Sequence, residues 1–344
     1  MLCRRATTFQ LGSIARRLLH SSLPTPPIRH GIINHTPKAL TSQTRKMTSF
    51  HSNEDLKSSV LFDVSHVTAV VTGGGTGIGL MIAQALQSNG AKVYITGRRK
   101  ETLDNVVKEY STGPGQIIAL PGDITSKDEC MRLAREVGEK EPKGIHLLVN
   151  NAGIARDDNT KFSSAGEPDF TSADAVSEHL LKSDPAAWDE TFKTNVTAHY
   201  FMSAAFIPLL GKARAETPGY SSQIVNVSSI SGLMKGSSMG QPAYATSKAA
   251  AVHLTRVLST LLIKTKIRVN QVAPGIFPSE MTAGKSDEKN KNRLEASSNP
   301  AGRPGNDQDM AATILFLAGK GGVFYNNQIL HPDGGNMVVQ PAAI

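Results

Sequence analysis

Cysteine is scarce in this chain: of 344 residues only Cys3 and Cys130 carry a thiol. Cys3 lies in a leading segment whose composition points to removal, which leaves Cys130 alone. An intrachain disulfide is thereby excluded in the mature protein, and a reducing interior is consistent with that. Long apolar runs are absent too. No 18 or more apolar residues occur together, which excludes a membrane-spanning helix. No internal repeat suggests a solenoid, and the scattered histidines show no ligand spacing, so no metal site is expected. Acid is missing from residues 1–46, which carry Arg4, Arg5, Arg16, Arg17, Arg29, Lys38, Arg45 and Lys46. Subtracting those eight from 37 basic residues leaves 29 against 29 acidic ones, so the net charge of +8 belongs to that segment. Neither nucleic acid nor an acidic membrane surface is then indicated as a partner.

What is present in residues 1–46 is Ser, Thr and arginine pairs, with Leu2, Phe9, Leu11, Ile14, Leu18 and Leu19 as an apolar face between them. This is the composition of a mitochondrial transit peptide; the other reading is an N-terminal extension without an address. Pro24, Pro26, Pro27 and Pro37 disfavour folding of its second half, and Met47 offers a second start for a cytosolic form. Residues 47–344 have the length and apolar content for one main domain, with a core at about 65–338.

From residue 66 the chain becomes regular. His66–Thr72 is a short β-branched run, followed by Gly73, Gly74, Gly75, Thr76, Gly77, Ile78 and Gly79, and then by a helical stretch, Leu80–Ser88. Strand, glycine turn and helix in that order place backbone N–H groups where a pyrophosphate can sit, although flexible glycine loops look similar. Further strands are expected at Lys92–Thr96, Gln116–Leu120, His146–Val149, Gln223–Val227, Ile267–Val272 and Gln328–Leu330, with helical segments between them. Such alternation predicts a parallel sheet with helices on both faces. Ligands of these sheets bind beyond the carboxyl ends of strands, which draws attention to Asp123 with Ile124, and to Asn151 after Asn150. Each stretch is equally readable as a turn, and Asp123 as a helix cap. A helix from about Ala186 to Leu210 contains Asn195, where a lone Asn ordinarily faces solvent.

Tyr244 and Lys248 stand four residues apart in an Ala- and Leu-rich stretch, Ala243–Leu262, free of Gly and Pro. On a helix they meet on adjacent turns, and an ammonium beside a phenol lowers the phenol's pKa toward a useful range. The same spacing arises by chance on exposed helices.

TGGGTGIG at 72–79, NNAG at 150–153, Asn195, Ser229, YATSK at 244–248 and PG at 274–275, in this order, resemble the short-chain dehydrogenase/reductase family over residues 65–338. The resemblance implies a single-domain Rossmann fold of seven strands and a homotetramer. It implies that Tyr244 protonates a carbonyl oxygen, that Lys248 lowers the tyrosine pKa and holds the nicotinamide ribose, and that Ser229 binds the substrate oxygen. Asn195 would hold a water in a proton relay to Lys248. Gly73, Thr76, Gly77, Ile78, Gly79, Asp123, Ile124, Asn151, Pro274, Gly275, Ile276 and Ser279 would join Tyr244 and Lys248 around the cofactor. Hydride comes from the nicotinamide, so the protein need only orient and polarise the carbonyl and supply a proton. GRPG at 302–305, FLAGKGG at 316–322 and FYNNQILHPDGG at 324–335 look most like 3-oxoacyl-[acyl-carrier-protein] reductases, including the type linked to rhamnolipid synthesis. An acyl carrier protein is then a partner to consider. A carbonyl reductase for a small or polyketide ketone is the second reading, and a cofactor-binding scaffold without turnover the third.

Three stretches depart from the family's pattern. The Ser229–Tyr244 interval is about two residues longer than usual, which makes Ser231 a rival serine, though Ser229 stands at the strand end. Residues 155–185 look like an insertion with seven acidic residues, either flanking the substrate mouth or, preferably, forming a solvated loop. Residues 276–304 have the polar composition of a substrate lid. The corner after the second strand reads Gly97-Arg98-Arg99, without the acid that would bind a ribose 2′-OH. Arginine offers donors to a 2′-phosphate, so NADP(H) is the cofactor expected.

Overall fold

Apolar residues of the first strand point alternately to two faces: Ala69 and Val71 enter one buried cluster and Val70 another. Leu147 and Val149 against Leu148 repeat the alternation, as expected of a parallel sheet covered on both sides. The computed structural model describes residues 52–340. The expected transit segment, Cys3 and Met47 lie outside them.

The elements run α1 (Ser58–Leu61), β1 (Thr68–Thr72), α2 (Gly77–Ser88), β2 (Lys92–Gly97), α3 (Lys100–Tyr110), β3 (Gln116–Pro121), α4 (Lys127–Lys140) and β4 (Leu147–Asn150). There follow α5 (Phe162–Ala165), α6 (Ala173–Leu181), α7 (Pro185–Phe192), a π-helical turn (Lys193–Thr197), α8 (Ala198–Glu216), β5 (Gln223–Val227) and α9 (Pro242–Leu261). β6 (Arg268–Val272), α10 (Glu280–Ala283), α11 (Asp307–Ala318), β7 (Ile329–Leu330) and α12 (Asn336–Val339) complete the series. All seven strands are parallel, in the order β3-β2-β1-β4-β5-β6-β7. The order reverses between β1 and β4, and a crevice opens there beyond the strand ends. One core cluster joins the sheet to α2 and α11, the other to α4, α8 and α9. No helix of the described residues is long and apolar enough to cross a membrane.

Strand positions agree with the sequence reading to within two residues. Two expectations do not hold. The helix containing Asn195 is interrupted by the π turn, in which the Ala198 N–H bonds the Lys193 carbonyl; Asn195 itself is fully buried, which removes the solvent-facing alternative to its site role. The 155–185 insertion is not a plain solvated loop: it folds into α5 and α6 and buries Asp157, Thr160 and His179. His179 bonds the Thr160 carbonyl at 2.9 Å, which ties α6 back to the start of the insertion.

Candidate active site

The crevice at the sheet's switch point is a cleft of about 840 Å³ lined from the ends of β1, β2, β4 and β5, from the first turns of α9, and from the segment after β6. Gly73, Thr76, Gly77 and Ile78 form one wall. Gly79 does not line it but permits it. A Cβ there would lie 2.1 Å from the Gly73 carbonyl oxygen and 2.5 Å from the Asn151 amide, so only glycine lets α2 start this close to β1. The Thr76 side chain accepts none of the first-turn N–H groups of α2, which leaves them to an anion. The buried Thr96 hydroxyl, a further lining group, has no hydrogen-bond partner among the described residues. This donor set fits a dinucleotide whose pyrophosphate meets the helix start.

The expected site residues converge, with differences in what they do. Asp123 lines the cleft and its carboxylate accepts from the Thr125 N–H and hydroxyl, at 3.0 and 2.9 Å; the cap of α4 is Ser126, so the turn reading of Asp123 holds. Ile124 is buried beside it. Asn151 also lines the cleft, but its amide donates to the carbonyls of Thr72 and Gly73 and so binds β4 to β1. Pro274, Gly275 and Ser279 line the floor. Ile276 does not; its carbonyl accepts from the Gly305 N–H at 2.9 Å and anchors the segment between β6 and α11 instead. Arg98 is exposed at the corner and lines the cleft. Arg99 stands at the N-cap position of α3 without a side-chain cap bond and is held by Glu280 in a two-bond ion pair of 2.9 and 2.8 Å. Glu280 is a lining residue that sequence reasoning missed, and nothing 181 positions away in the chain could have signalled it.

Tyr244 and Lys248 occupy adjacent turns of α9, the Lys248 Nζ 5.7 Å from the tyrosine ring centre. The Ser229 hydroxyl faces the Tyr244 phenol closely enough to lower its pKa, whereas the Ser231 hydroxyl is paired with Ser238 at 2.7 Å. Of the two rival serines, Ser229 is the one at the cleft. Burial raises the Tyr244 phenol above its ordinary range, and the Ser229 hydroxyl offsets part of that. The phenol thus stands above its ordinary range and not below it as expected: the Lys248 ammonium, 5.7 Å from the ring centre, does not outweigh burial. Lys248 donates to the Val227 carbonyl at 3.3 Å, and burial pushes its own ammonium down to about 8.

Asn195 is engaged on every side. Its Oδ1 accepts from the Ile154 N–H at 2.8 Å, while its Nδ2 donates to the Ile154 carbonyl and to Ser247 Oγ, both at 2.9 Å. With both amide donors occupied, the side chain clamps β4's tail to α9, and only Oδ1 retains capacity for a relay water. Gly153 separates this amide from Lys248: a Cβ there would lie 3.1 Å from Asn195 Oδ1 and 3.1 Å from Lys248 Nζ. His199, buried beneath, bonds the Ala152 carbonyl at 2.8 Å; burial foremost, and then the Lys248 charge, push it down to about 4. It is therefore a neutral donor and no general base near neutrality.

A family model described as short chain dehydrogenase matches residues 67–290. Among curated proteins, short-chain dehydrogenase/reductase PhomF′ of Diaporthe leptostromiformis is 44% identical over 287 residues, 82% of this chain and 95% of the relative. The rhamnolipids biosynthesis 3-oxoacyl-[acyl-carrier-protein] reductase of Pseudomonas aeruginosa is 34% identical over 278 residues, 80% of this chain and 97% of the relative. Among solved structures, the Pseudomonas aeruginosa RhlG/NADP active-site complex aligns with a TM-score of 0.66 and 32% identity, covering 80% of this chain and 98% of that one.

Proposed function

The chain belongs to the short-chain dehydrogenase/reductase family and is an oxidoreductase, and on that premise we propose that it reduces a 3-oxoacyl thioester to the 3-hydroxyacyl thioester with NADPH. The observation that carries this is the Ser229–Tyr244 hydroxyl pair beside Lys248, set in the cleft whose far corner presents Arg98. Bound NADPH supplies the hydride. Ser229 and Tyr244 donate hydrogen bonds to the carbonyl oxygen and polarise it. As the carbonyl carbon gains hydride, Tyr244 gives its proton to the developing alkoxide, and the depressed Lys248 ammonium stabilises the phenolate left behind. The raised phenol is protonated at neutral pH, which suits it to the acid's part in reduction.

The preference for a 3-oxoacyl thioester rests on the resemblance to the Pseudomonas reductase. NADPH oxidation by protein starting at Met47, on acetoacetyl thioesters, carrier-bound acyl groups and free ketones, tests it. Faster turnover of thioesters is expected; faster turnover of free ketones selects the carbonyl-reductase reading, and no turnover at all the scaffold. Carrier-bound substrate outpacing the free thioester would establish an acyl carrier protein as partner. A homotetramer is proposed as well, supported by Tyr200 on α8 with Val257 and Leu261 on α9, 44%, 39% and 65% exposed; light scattering measures it. Residues 1–46 are proposed to direct the protein to mitochondria, which a reporter fusion tests; a diffuse reporter removes that reading.

A further inference from the structure

Helix α9 begins without a cap of its own. Its first residue, Pro242, has no N–H, and the Ala245 N–H bonds the Gln241 carbonyl at 3.0 Å. The donors left over in the first turn are those of Ala243 and Tyr244. The Gln241 side chain does not take them; it donates to the Ser238 carbonyl at 2.8 Å. Both go to one carboxylate 86 and 87 residues upstream: Asp157 accepts from Ala243 at 2.9 Å through Oδ1 and from Tyr244 at 3.0 Å through Oδ2. Asp157 is 5% exposed, and its own carbonyl is fixed by the N–H groups of Thr160 and Lys161.

The peptide of Tyr244 is thus gripped at both ends. Its carbonyl accepts from Ser247 Oγ at 2.7 Å, and Ser247 in turn accepts from Asn195, which Ile154 holds. Ile154 and Asp157 lie in one stretch of chain after β4, so that stretch clamps the residue carrying the phenol from the N–H side directly and from the carbonyl side through Asn195. The loop before α9 needs such support. Ser238, Met239 and Gly240 are three consecutive residues in the left-handed region, with φ of 55, 59 and 80°. That turn lies within the long interval between Ser229 and Tyr244. The insertion braces it: the Phe162 N–H bonds the Met239 carbonyl at 3.0 Å, and a Cβ on Gly240 would lie 2.3 Å from the Thr160 carbonyl.

We infer that Asp157 is a positioning residue for Tyr244, and that the insertion it opens is a brace for the loop and first turn that present the phenol to the substrate. The inference rests on the reductase reading above. A displaced helix start moves the phenol relative to the Ser229 hydroxyl, and a misplacement of about 1 Å in a proton donor costs about a hundredfold in rate.

The test uses the full chain with Asp157→Asn, which keeps shape but replaces one acceptor by a donor, and Asp157→Ala, which removes both acceptors. The substrate is whichever ketone or thioester the wild type turns over fastest; a wild type without turnover sinks the reductase reading, while amide exchange still reports on the cap. The expected result is kcat lowered at least tenfold by Asp157→Ala and less by Asp157→Asn. The NADPH dissociation constant should change by no more than about twofold, with faster hydrogen exchange at Ala243 and Tyr244. Adding Gln241→Asp to Asp157→Ala puts an acceptor at the cap position and should recover part of kcat. If Asp157→Ala does not fold, Asp157→Asn alone decides. A kcat within twofold of wild type in Asp157→Asn, or a fall in kcat per total protein fully matched by the fall in the number of NADPH-binding sites, overturns the inference.

Discussion

Replacing Glu280 by Gln should tighten NADPH binding, although no residue of the cleft is thereby made more basic. Glu280 grips the Arg99 guanidinium with two bonds of 2.9 and 2.8 Å at the corner where the 2′-phosphate of the cofactor is expected. The side chains are 37% and 59% exposed, so the pair is a solvent-screened one, worth about 0.2–1 kcal/mol. For Arg99 to reach the phosphate this pair must open, and if it stays closed the Glu280 carboxylate repels the phosphate; either way the carboxylate opposes NADPH. Its removal at constant shape should return roughly that energy, an NADPH dissociation constant lower by about 1.4-fold to fivefold. NADH, without the phosphate, should change less. Fluorescence titration of both cofactors measures this, and the gain should shrink as salt screens the charges. Arg98, exposed and without a bond or ion pair among the described residues, provides the opposing arm. Its replacement by Ala removes a charge-assisted hydrogen bond and should weaken NADPH about tenfold to a hundredfold, with NADH little affected. Unchanged or weaker NADPH binding in Glu280→Gln would refute the competition, and an Arg98→Ala variant that loses both cofactors alike would take Arg98 out of the reader's role.

Tyr244→Phe keeps the ring but not the proton, so turnover should fall by roughly a hundredfold or more while NADPH still binds; near-normal turnover would sink the assignment. Acid stability should follow His146, whose Nδ1 accepts from the Thr68 N–H at 3.1 Å and which burial pushes down to about 4 from the ordinary 6.5. The unfolded chain takes a proton below pH 6.5 that the folded one refuses, so its contribution is complete above that pH. It declines as pH falls toward 4, by about 3 kcal/mol in total. Thermal unfolding from pH 7 to 4.5 should show the decline, and His146→Asn, which keeps an acceptor for Thr68, should make it shallower, the buried His199 supplying the remainder; an equal slope in both proteins would exclude His146 as a source.

Much of the fold and the reacting pair was legible in the residues because the signals are local. Alternating strand and helix segments, a glycine turn between β1 and α2, and a Tyr and Lys one helical turn apart depend on spacings of a few residues, and each spacing recurs in the structure. Ser229 over Ser231 was also readable, since a residue at a strand end is held where a ligand arrives. What tertiary structure decided is how those groups are held and charged. Glu280 comes to Arg99, and Asp157 to Tyr244, only because separate parts of the chain meet at one end of the sheet. The π turn around Asn195 carries no pattern that distinguishes it from an ordinary helix, and by helix composition alone its buried amide reads as a solvated one, although the family resemblance placed it in the site. The direction of the Tyr244 shift likewise depends on how far packing withdraws the phenol from water and where the Lys248 ammonium turns. Periodicity and turn chemistry act along the chain, whereas desolvation and charge pairing act across space, so the first are written in the sequence and the second appear only once it has folded.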